Sequence, residues 1–167
     1  MSSIGVYDKY QPEQPIKFYN TTMDDNDANG AGGGGGAYLN YCYTEFYQSR
    51  IRVNHTSGKG GGIKFDHGSS IITNCDFDLN SADDLGDVIY ANYDGTYAYS
   101  TLTFNNSIFW NNDSNEIVIE YAENDPNLDV TYSYVLFLFF CEIIGNYISP
   151  ISICFRSSYF HMKVISC

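Results

Sequence analysis

The sequence has little positive charge: 8 lysines and arginines stand against 20 aspartates and glutamates, and the formal net charge is −12. Nucleic acids and anionic membrane surfaces would repel such a chain, so neither is expected as a partner. Hydrophobic residues still make up 44% of the 167 residues, which is enough for one domain with a buried core.

Patterns that bind metals or form disulfides are also lacking. The five cysteines are odd in number and show no C-x-x-C spacing, which argues against a zinc site and a disulfide framework. Cys42 and Cys75 are therefore expected as buried free thiols. The acidic run 24–27 could begin a calcium loop, but an EF-hand needs a glutamate where this chain has Gly35. A solvated turn is the preferred interpretation, and we expect no metal and no cofactor.

A nine-residue pattern occurs four times: apolar, any, Asn or Gln, small, any, apolar, any, any, Asn. Its closing asparagines are separated by 28, 26 and 32 residues, so length varies between the copies and not within them. A fixed pattern with variable spacers is typical of a solenoid. The defining residues of the four copies are Phe18, Asn20, Thr21, Met23, Asn26; Phe46, Gln48, Ser49, Ile51, Asn54; Ile72, Asn74, Cys75, Phe77, Asn80; and Phe104, Asn106, Ser107, Phe109, Asn112.

The content of this pattern predicts β-strands, because nine residues rich in Asn, Thr and Tyr are too few for a helix pair. We predict an all-β parallel β-helix with about four rungs and a partial fifth, a rung being one turn of the coil. Equivalent positions of neighbouring rungs then stack at about 4.8 Å. The alternative is an antiparallel meander, but hairpins do not require asparagine at the same two positions each time.

Stacked rungs predict columns of equivalent side chains. Phe77 should lie between Ile51 and Phe109 in one inward column, and the first apolar positions of the four copies should form a second one. Asparagines should form two further columns, since they suit bends and can hydrogen-bond to each other along the coil. The predicted asparagine-type columns are Asn20, Gln48, Asn74, Asn106 and Asn26, Asn54, Asn80, Asn112.

Glycines mark a further corner of each rung. Residues 60–63 and 86–89 both end in an isoleucine nine residues after a closing asparagine, and glycine allows a tight or left-handed bend there. The glycine run 32–36 is not a phosphate loop, because no Gly-Lys-Ser/Thr follows it. We interpret it as a slipped copy of the same corner.

These motifs resemble those of a known family. GGGI at 60–63, FDLN at 77–80 and FWNN at 109–112 are similar to the paired GGA(I/L/V) and FxxN motifs of polymorphic outer membrane proteins, and more broadly to right-handed parallel β-helix repeat proteins of the pectin-lyase-like group. Two of the four FxxN copies, ending at Asn26 and Asn54, are degenerate. The resemblance covers about residues 16–135.

The resemblance implies a right-handed single-stranded coil at the cell surface or outside the cell, often in adhesion, with a glycan or another protein as its partner. The family's secretion signal and membrane-embedded C-terminal part are not recognised in this sequence. Attachment to a membrane is therefore expected only through missing or degraded flanking segments.

One spacer contains the candidate binding residues. The third and fourth copies are separated by six more residues than the second and third, and the addition falls in residues 91–99. Loops that leave a solenoid commonly present binding residues, and tyrosines can stack on a sugar ring and bond its hydroxyls. The alternative is a surface excursion without a ligand. The candidates are Tyr93, Asp94, Tyr97 and Tyr99.

A polysaccharide lyase or glycoside hydrolase is the alternative function, since coils of this type carry such enzymes. Asp83 and Asp84 are adjacent, and neighbours on a strand point to opposite faces, whereas hydrolysis needs two carboxylates at one bond. We interpret Arg50 and Arg52 as lying beside no acidic column, which disfavours a lyase. We therefore assign no catalytic residue and expect a non-catalytic module.

The chain is divided into three segments. Residues 1–15 are polar and lack the apolar core of a signal peptide, residues 16–135 form the coil, and residues 136–167 are an apolar tail. The pattern is lost where Leu138 occupies the position of the next asparagine. The tail is a cap, a poor membrane anchor, or out-of-frame or truncated sequence, and the abrupt loss of the pattern favours the last.

Overall fold

The protein is an all-β parallel solenoid of about three turns, seen in a computed structural model. The structure describes residues 4–7, 15–30, 32–93, 101–110, 117–121, 127–131, 134–135 and 141–144, and the side chains of 15–30, 32–92, 102–110 and 117–120. Within these residues, no helix has the length and apolar character needed to cross a membrane.

The strands form three sheets, called here the long, middle and narrow sheets. The long sheet contains β1 (Ile4–Tyr7), β2 (Ile16–Tyr19), β5 (Ala37–Tyr47), β8 (Ile63–Thr73), β11 (Ile89–Tyr93), β12 (Thr101–Asn105), β14 (Ile117–Tyr121), β15 (Asn127–Thr131) and β17 (Cys141–Ile144). The middle sheet contains β3 (Thr22–Asp24), β6 (Arg50–Arg52), β9 (Asp76–Asp78), β13 (Ile108–Trp110) and β16 (Tyr134–Val135). The narrow sheet contains β4 (Asp27–Ala28), β7 (His55–Thr56) and β10 (Ser81–Ala82).

Every strand pairing in these sheets is parallel, so the antiparallel alternative is wrong. A rung passes through the long, the middle and the narrow sheet and returns through the glycine corner. One strand of the tail segment, β17, pairs with β14. The nature of that segment stays a prediction.

The predicted apolar columns are confirmed. Phe77 pairs with Ile51 on one side and with Phe109 on the other, and the rings of Phe77 and Phe109 stack at 4.8 Å. The second column begins with Phe18 and Phe46, whose rings stack at 4.4 Å. These columns form the buried core of the coil, and their members are Phe18, Phe46, Ile72, Phe104 and Met23, Ile51, Phe77, Phe109.

A ladder of asparagines runs beside this core, as predicted, and two of its members, Asn54 and Asn80, are buried. The Asn26 Nδ2 donates to Asn54 Oδ1 at 2.9 Å, and the Asn54 Nδ2 donates to Asn80 Oδ1 at 3.0 Å. Asn54 also donates to the Met23 carbonyl, which satisfies the side chain within the core. Asn112, the predicted fourth member, lies outside the described residues.

Left-handed residues define two corners of each rung. At the first corner the predicted asparagine column takes this conformation itself, with φ of 48°, 49°, 54° and 47° at Asn20, Gln48, Asn74 and Asn106. At the second corner the left-handed residue comes directly before the ladder asparagine, and φ is 55°, 52° and 54° at Asp25, Val53 and Leu79. The second asparagine column therefore bonds the rungs together, while its neighbour makes the bend.

Val53 is the least favourable of these corner residues, because a β-branched side chain is strained at positive φ. Val53→Asn is expected to raise the free energy of unfolding by about 0.5 to 1 kcal/mol, since asparagine tolerates this conformation. Urea unfolding of the two proteins measures the difference. Thr22→Asn places the same side chain at an exposed position of strand β3, where no gain is expected. A gain there equal to that at Val53 would contradict the explanation.

The glycine corners stack in register. Gly34, Gly60 and Gly86 have φ of 75°, 76° and 70°, and a Cβ on any of them would meet backbone of the same corner. Ala37 pairs with Ile63, so residues 34–37 match residues 60–63 directly. The glycine run is therefore a copy of the same corner, displaced along the chain by two additional residues that lie before it, within 29–33.

The cysteines of the described coil behave as expected. Cys42 and Cys75 are buried and form no disulfide. Burial raises the pKa of the Cys75 thiol, and a protonated buried thiol is unreactive. They contribute to the core as small apolar side chains.

Candidate functional site

The long sheet bends in the middle of β5 and β8. Tyr41 and His67 have φ of 54° and 61°, and their rings stack at 4.4 Å. Gly68 follows with φ of 90°, and a Cβ there would meet the Cys42 backbone. The bend divides the outer face into two halves. The first half contains β1, β11, β14, β17 and the starts of β5 and β8. The second half contains β2, β12, β15 and the ends of β5 and β8.

The predicted binding spacer leaves the coil at this bend. Asn92 pairs with Asp66, so Tyr93 is the next position, equivalent to His67. The chain returns to the coil in β12, where Leu102 pairs with Ser70. The side chain of Tyr93 and all of Asp94, Tyr97 and Tyr99 lie outside the described residues, and their role in binding stays a prediction.

Lys64 is the centre of the first half. Its Nζ lies 4.8 Å from the ring centroid of Tyr38 and 5.8 Å from that of Tyr90, on the two neighbouring rungs. It also lies 3.2 Å from Asp66 Oδ2 and donates to the Gly32 carbonyl at 2.8 Å. The Tyr38 hydroxyl donates to the same Asp66 oxygen at 2.5 Å, and burial together with this bond raises the pKa of Tyr38. Cation–π and ionic contacts therefore hold the lysine in place.

A second lysine extends this network along the coil. The Lys59 Nζ donates to the Tyr90 hydroxyl at 3.0 Å and lies 3.1 Å from Glu120 Oε1. The Tyr90 hydroxyl donates to the other Glu120 oxygen. Burial first, and then the bond to Glu120, raises the pKa of Tyr90 to about 12. These groups mostly satisfy one another, so the first half ties rungs together and offers little for an external ligand.

Two oxygens of the first half do lack a donor. Asn40 Oδ1 and Asp66 Oδ1 are buried without a hydrogen-bond partner, and the two residues pair on β5 and β8. Each of these oxygens can only accept a hydrogen bond, so each would be satisfied by a donor.

The second half presents an exposed pair of tyrosines. The rings of Tyr19 and Tyr47 stack at 5.1 Å with an angle of 11° between their planes. Tyr19 lies on β2, whose described pairing is with β5 alone, and 56% of the residue is exposed. One face of its ring packs on Tyr47, and within the described residues no other ring covers the opposite face. The second half therefore ends in a flat aromatic surface open to solvent.

A carboxylate is fixed beside these rings. The Lys17 Nζ lies 2.8 Å from Glu45 Oε2, and the Tyr47 hydroxyl donates to the same oxygen at 3.1 Å. The Glu45 side chain is only 10% exposed. The hydrogen bond from Lys17 is the main cause that lowers the pKa of Glu45, so the carboxylate is charged at neutral pH. Hydrogen-bonding groups of both kinds thus border the exposed ring of Tyr19.

The outer face of the middle sheet corrects one expectation. Arg50 Nε and Nη2 both lie 3.2 Å from Asp76 Oδ2, and Arg52 Nε lies 3.4 Å from Asp24 Oδ1. The expectation that these arginines lie beside no acidic column is therefore wrong. Their strand positions alternate outward, and the register of β3, β6 and β9 places an aspartate beside each. Ile108 and Trp110, each 41% exposed, continue the same face.

The narrow sheet carries a constellation that the sequence did not reveal. His55 lies between Asp27 and Asp83, with one ring nitrogen 3.2 Å from each carboxylate. The only sequence signal is that Asp27 and His55 each follow a ladder asparagine. The next residue after Asp83, Asp84, donates its backbone N–H to the Gly58 carbonyl at 3.3 Å. Within the described ranges, no group of three or more histidine, cysteine or acidic side chains is placed to hold a metal ion.

Comparison with models of protein families, with curated proteins and with solved structures gives no match. The strand pairing alone therefore establishes the parallel β-solenoid. Membership of the pectin-lyase-like group or of the polymorphic outer membrane proteins stays a prediction, and so does a place at the cell surface or outside the cell.

Proposed function

We propose that the chain is a non-catalytic, adhesin-like repeat module that binds a glycan on the second half of its long sheet. The observation that carries this proposal is the open ring face of Tyr19, stacked from behind on Tyr47 and bordered by Lys17 and Glu45. A sugar ring placed on Tyr19 would continue the ring stack by one more layer. Its hydroxyls would then reach the ammonium and the carboxylate, as in recognition surfaces that combine an aromatic body with polar groups.

The arrangement is ready for a ligand before the ligand arrives. Tyr47 holds the ring of Tyr19, and the ion pair of Lys17 with Glu45 spans the two neighbouring strands β2 and β5. Ordering these side chains therefore adds little to the free-energy cost of binding. An uncharged glycan fits this surface best, because the chain has a formal net charge of −12 and repels polyanions.

A carbohydrate-active enzyme, a lyase or a hydrolase, is the second candidate. The outer face of the middle sheet favours it, because Arg50 and Arg52 lie among Asp24, Asp76 and Asp78. Against it, Arg50 contacts Asp76 and Arg52 contacts Asp24 at ion-pair distances. A guanidinium held in this way serves more readily as a structural link between rungs than as a catalytic group.

The test begins with a glycan array on the full chain, followed by calorimetric titration of the glycans that bind. Tyr19→Ala is expected to weaken binding about tenfold. The lost stacking contact contributes about 1.4 kcal/mol to the binding free energy, which corresponds to a tenfold change in Kd. Trp110→Ala is the matched control, because it removes an exposed aromatic ring from a different sheet. The Trp110→Ala variant should bind each glycan with the same affinity as the unchanged protein.

Three results would overturn the proposal: no glycan binds, Tyr19→Ala binds as tightly as the unchanged protein, or Trp110→Ala loses as much affinity as Tyr19→Ala. A product assay on each bound glycan separates the two candidates. Cleavage that is lost in the Asp83→Asn and Asp84→Asn double variant, or in Arg50→Lys, would establish an enzyme in place of a binding module.

A further inference from the structure

His55 lies on the central strand of the narrow sheet. It lies on β7, between β4 of the preceding rung and β10 of the following one. Its Nδ1 is 3.2 Å from Asp27 Oδ1, and its Nε2 is 3.2 Å from Asp83 Oδ1. One imidazole therefore contacts carboxylates from the two rungs on either side of its own.

The protonation state of the ring decides whether both contacts are hydrogen bonds. An ionised carboxylate only accepts, so each ring nitrogen must carry a proton to bond its aspartate. A neutral imidazole has one N–H and one lone pair, so it can bond Asp27 or Asp83 but not both. The lone pair then faces the second carboxylate, which is repulsive.

We propose that His55 is a proton-dependent clip that ties three successive rungs together along the narrow sheet. When the ring is protonated, it links Asp27 to Asp83 across its own rung. When it loses a proton, one of the two links is lost, and the ring then ties its own rung to only one of its two neighbours.

Few other hydrogen bonds join the rungs along the narrow sheet, which makes the side-chain link significant. The Ser57 N–H and the Thr56 hydroxyl bond the Ala28 carbonyl at 3.3 and 3.1 Å, and the Asp83 N–H bonds the Thr56 carbonyl at 3.0 Å. The strands of the narrow sheet have two residues each, and the His55 N–H bonds the Asn26 carbonyl at 2.8 Å while the Ser81 N–H bonds the Asn54 carbonyl at 2.9 Å. Asn29 donates to the second oxygen of Asp27 at 3.2 Å and so helps to orient that carboxylate.

The direction of the pH dependence follows from the charges around the ring. Among the described residues, the charged groups that contact it are Asp27, from β4, and Asp83, directly after β10. The hydrogen bond with Asp27 is the largest of the causes that raise the pKa of His55 above its ordinary value of 6.5. The contribution to stability is therefore complete below pH 6.5 and is lost as pH rises through the higher native pKa.

The direct test is an NMR titration of the His55 ring in the full chain, with the signal assigned by its loss in His55→Gln. The native pKa is expected above 6.5, and Asp27→Asn and Asp83→Asn should each lower it. Asp84→Asn is the matched control, because it removes the same charge one residue away from the contact. It should leave the His55 pKa nearly unchanged.

Thermal unfolding between pH 5 and pH 9 supplies the second readout. The unchanged protein should melt roughly 1 to 3 °C above His55→Gln at the acid end, and the two curves should meet at the alkaline end, because exposed ion pairs contribute modestly. A native pKa at or below 6.5 would overturn the clip. So would an effect of Asp84→Asn equal to that of Asp83→Asn, which would indicate a general field of negative charge.

Discussion

Replacing Phe77 by alanine is expected to lower the free energy of unfolding by about 3 to 5 kcal/mol, the range for truncating a buried phenylalanine. Phe77 is fully buried, and its ring stacks on that of Phe109 at 4.8 Å with a 2° angle between the planes. The strands that carry the two rings are fixed by their register, so the coil cannot close over the space left behind. Urea unfolding followed by circular dichroism measures the loss.

Two further variants give the Phe77→Ala result its meaning. Phe77→Leu keeps most of the volume and should lose no more than about 1.5 kcal/mol. Leu79→Ala truncates an exposed side chain two residues away, on the outside of the same rung, and should change stability by no more than about 0.5 kcal/mol. Equal losses for Phe77→Ala and Leu79→Ala would show that the Phe77 column is not the core.

Asn54→Leu is expected to destabilise the coil by about 2 to 4 kcal/mol, although leucine is apolar and of similar size. The Asn54 Oδ1 accepts a hydrogen bond from the Asn26 backbone N–H at 3.2 Å. The Asn54 Nδ2 donates to Asn80 Oδ1 and to the Met23 carbonyl. Leucine would leave those groups without their partner in a buried place, and an unsatisfied buried group is more costly than a lost bond. Thermal and urea unfolding both report the change.

Asn29→Leu is the control for the ladder, because Asn29 is an exposed asparagine only a few residues from Asn26 in the same rung. Its stability should stay within about 0.5 kcal/mol of the unchanged protein. If Asn54→Leu were neutral, the ladder would be a by-product of the repeat and not a source of stability.

The core and the ladder could be predicted from sequence because each position of the template returns at nearly equal intervals. In a parallel coil, equal spacing forces equivalent residues onto neighbouring strands, so Ile51, Phe77 and Phe109 had to meet. The outward positions of the template follow the same rule. Arg50 and Asp76 occupy one such position in successive copies, so the repeat itself predicts that this charged pair meets on neighbouring strands.

The bend of the long sheet could not be predicted in the same way. It depends on positive φ at Tyr41 and His67, which are neither glycine nor asparagine, and the clearest sequence signal for it is Gly68. The positive φ of Val53 and Leu79 could not be predicted either, because corners of this kind usually contain glycine or asparagine. In each case the stacked rungs impose a conformation that local preference alone would not choose.

The exposed face of the candidate site lay outside the template altogether. Tyr19 and Tyr47 occupy the undefined second position, which the pattern treats as free. Their importance depends on two facts: β2 is an edge strand of the described coil, and Lys17 on β2 pairs with Glu45 on β5. Neither follows from periodicity, which describes the middle of a solenoid better than its ends.

The differences in repeat length have a thermodynamic consequence of their own. Rungs differ because residues are added at two places, two before the glycine corner at Gly34 and six after Tyr93 at the bend of the long sheet, while the paired strands keep their register. Closing a loop of 32 residues in place of 26 costs only about 0.2 kcal/mol more in chain entropy. Added chain length at a corner or at the bend is thus nearly neutral for the coil, so new surface loops can be acquired at both places without compensating changes in the core.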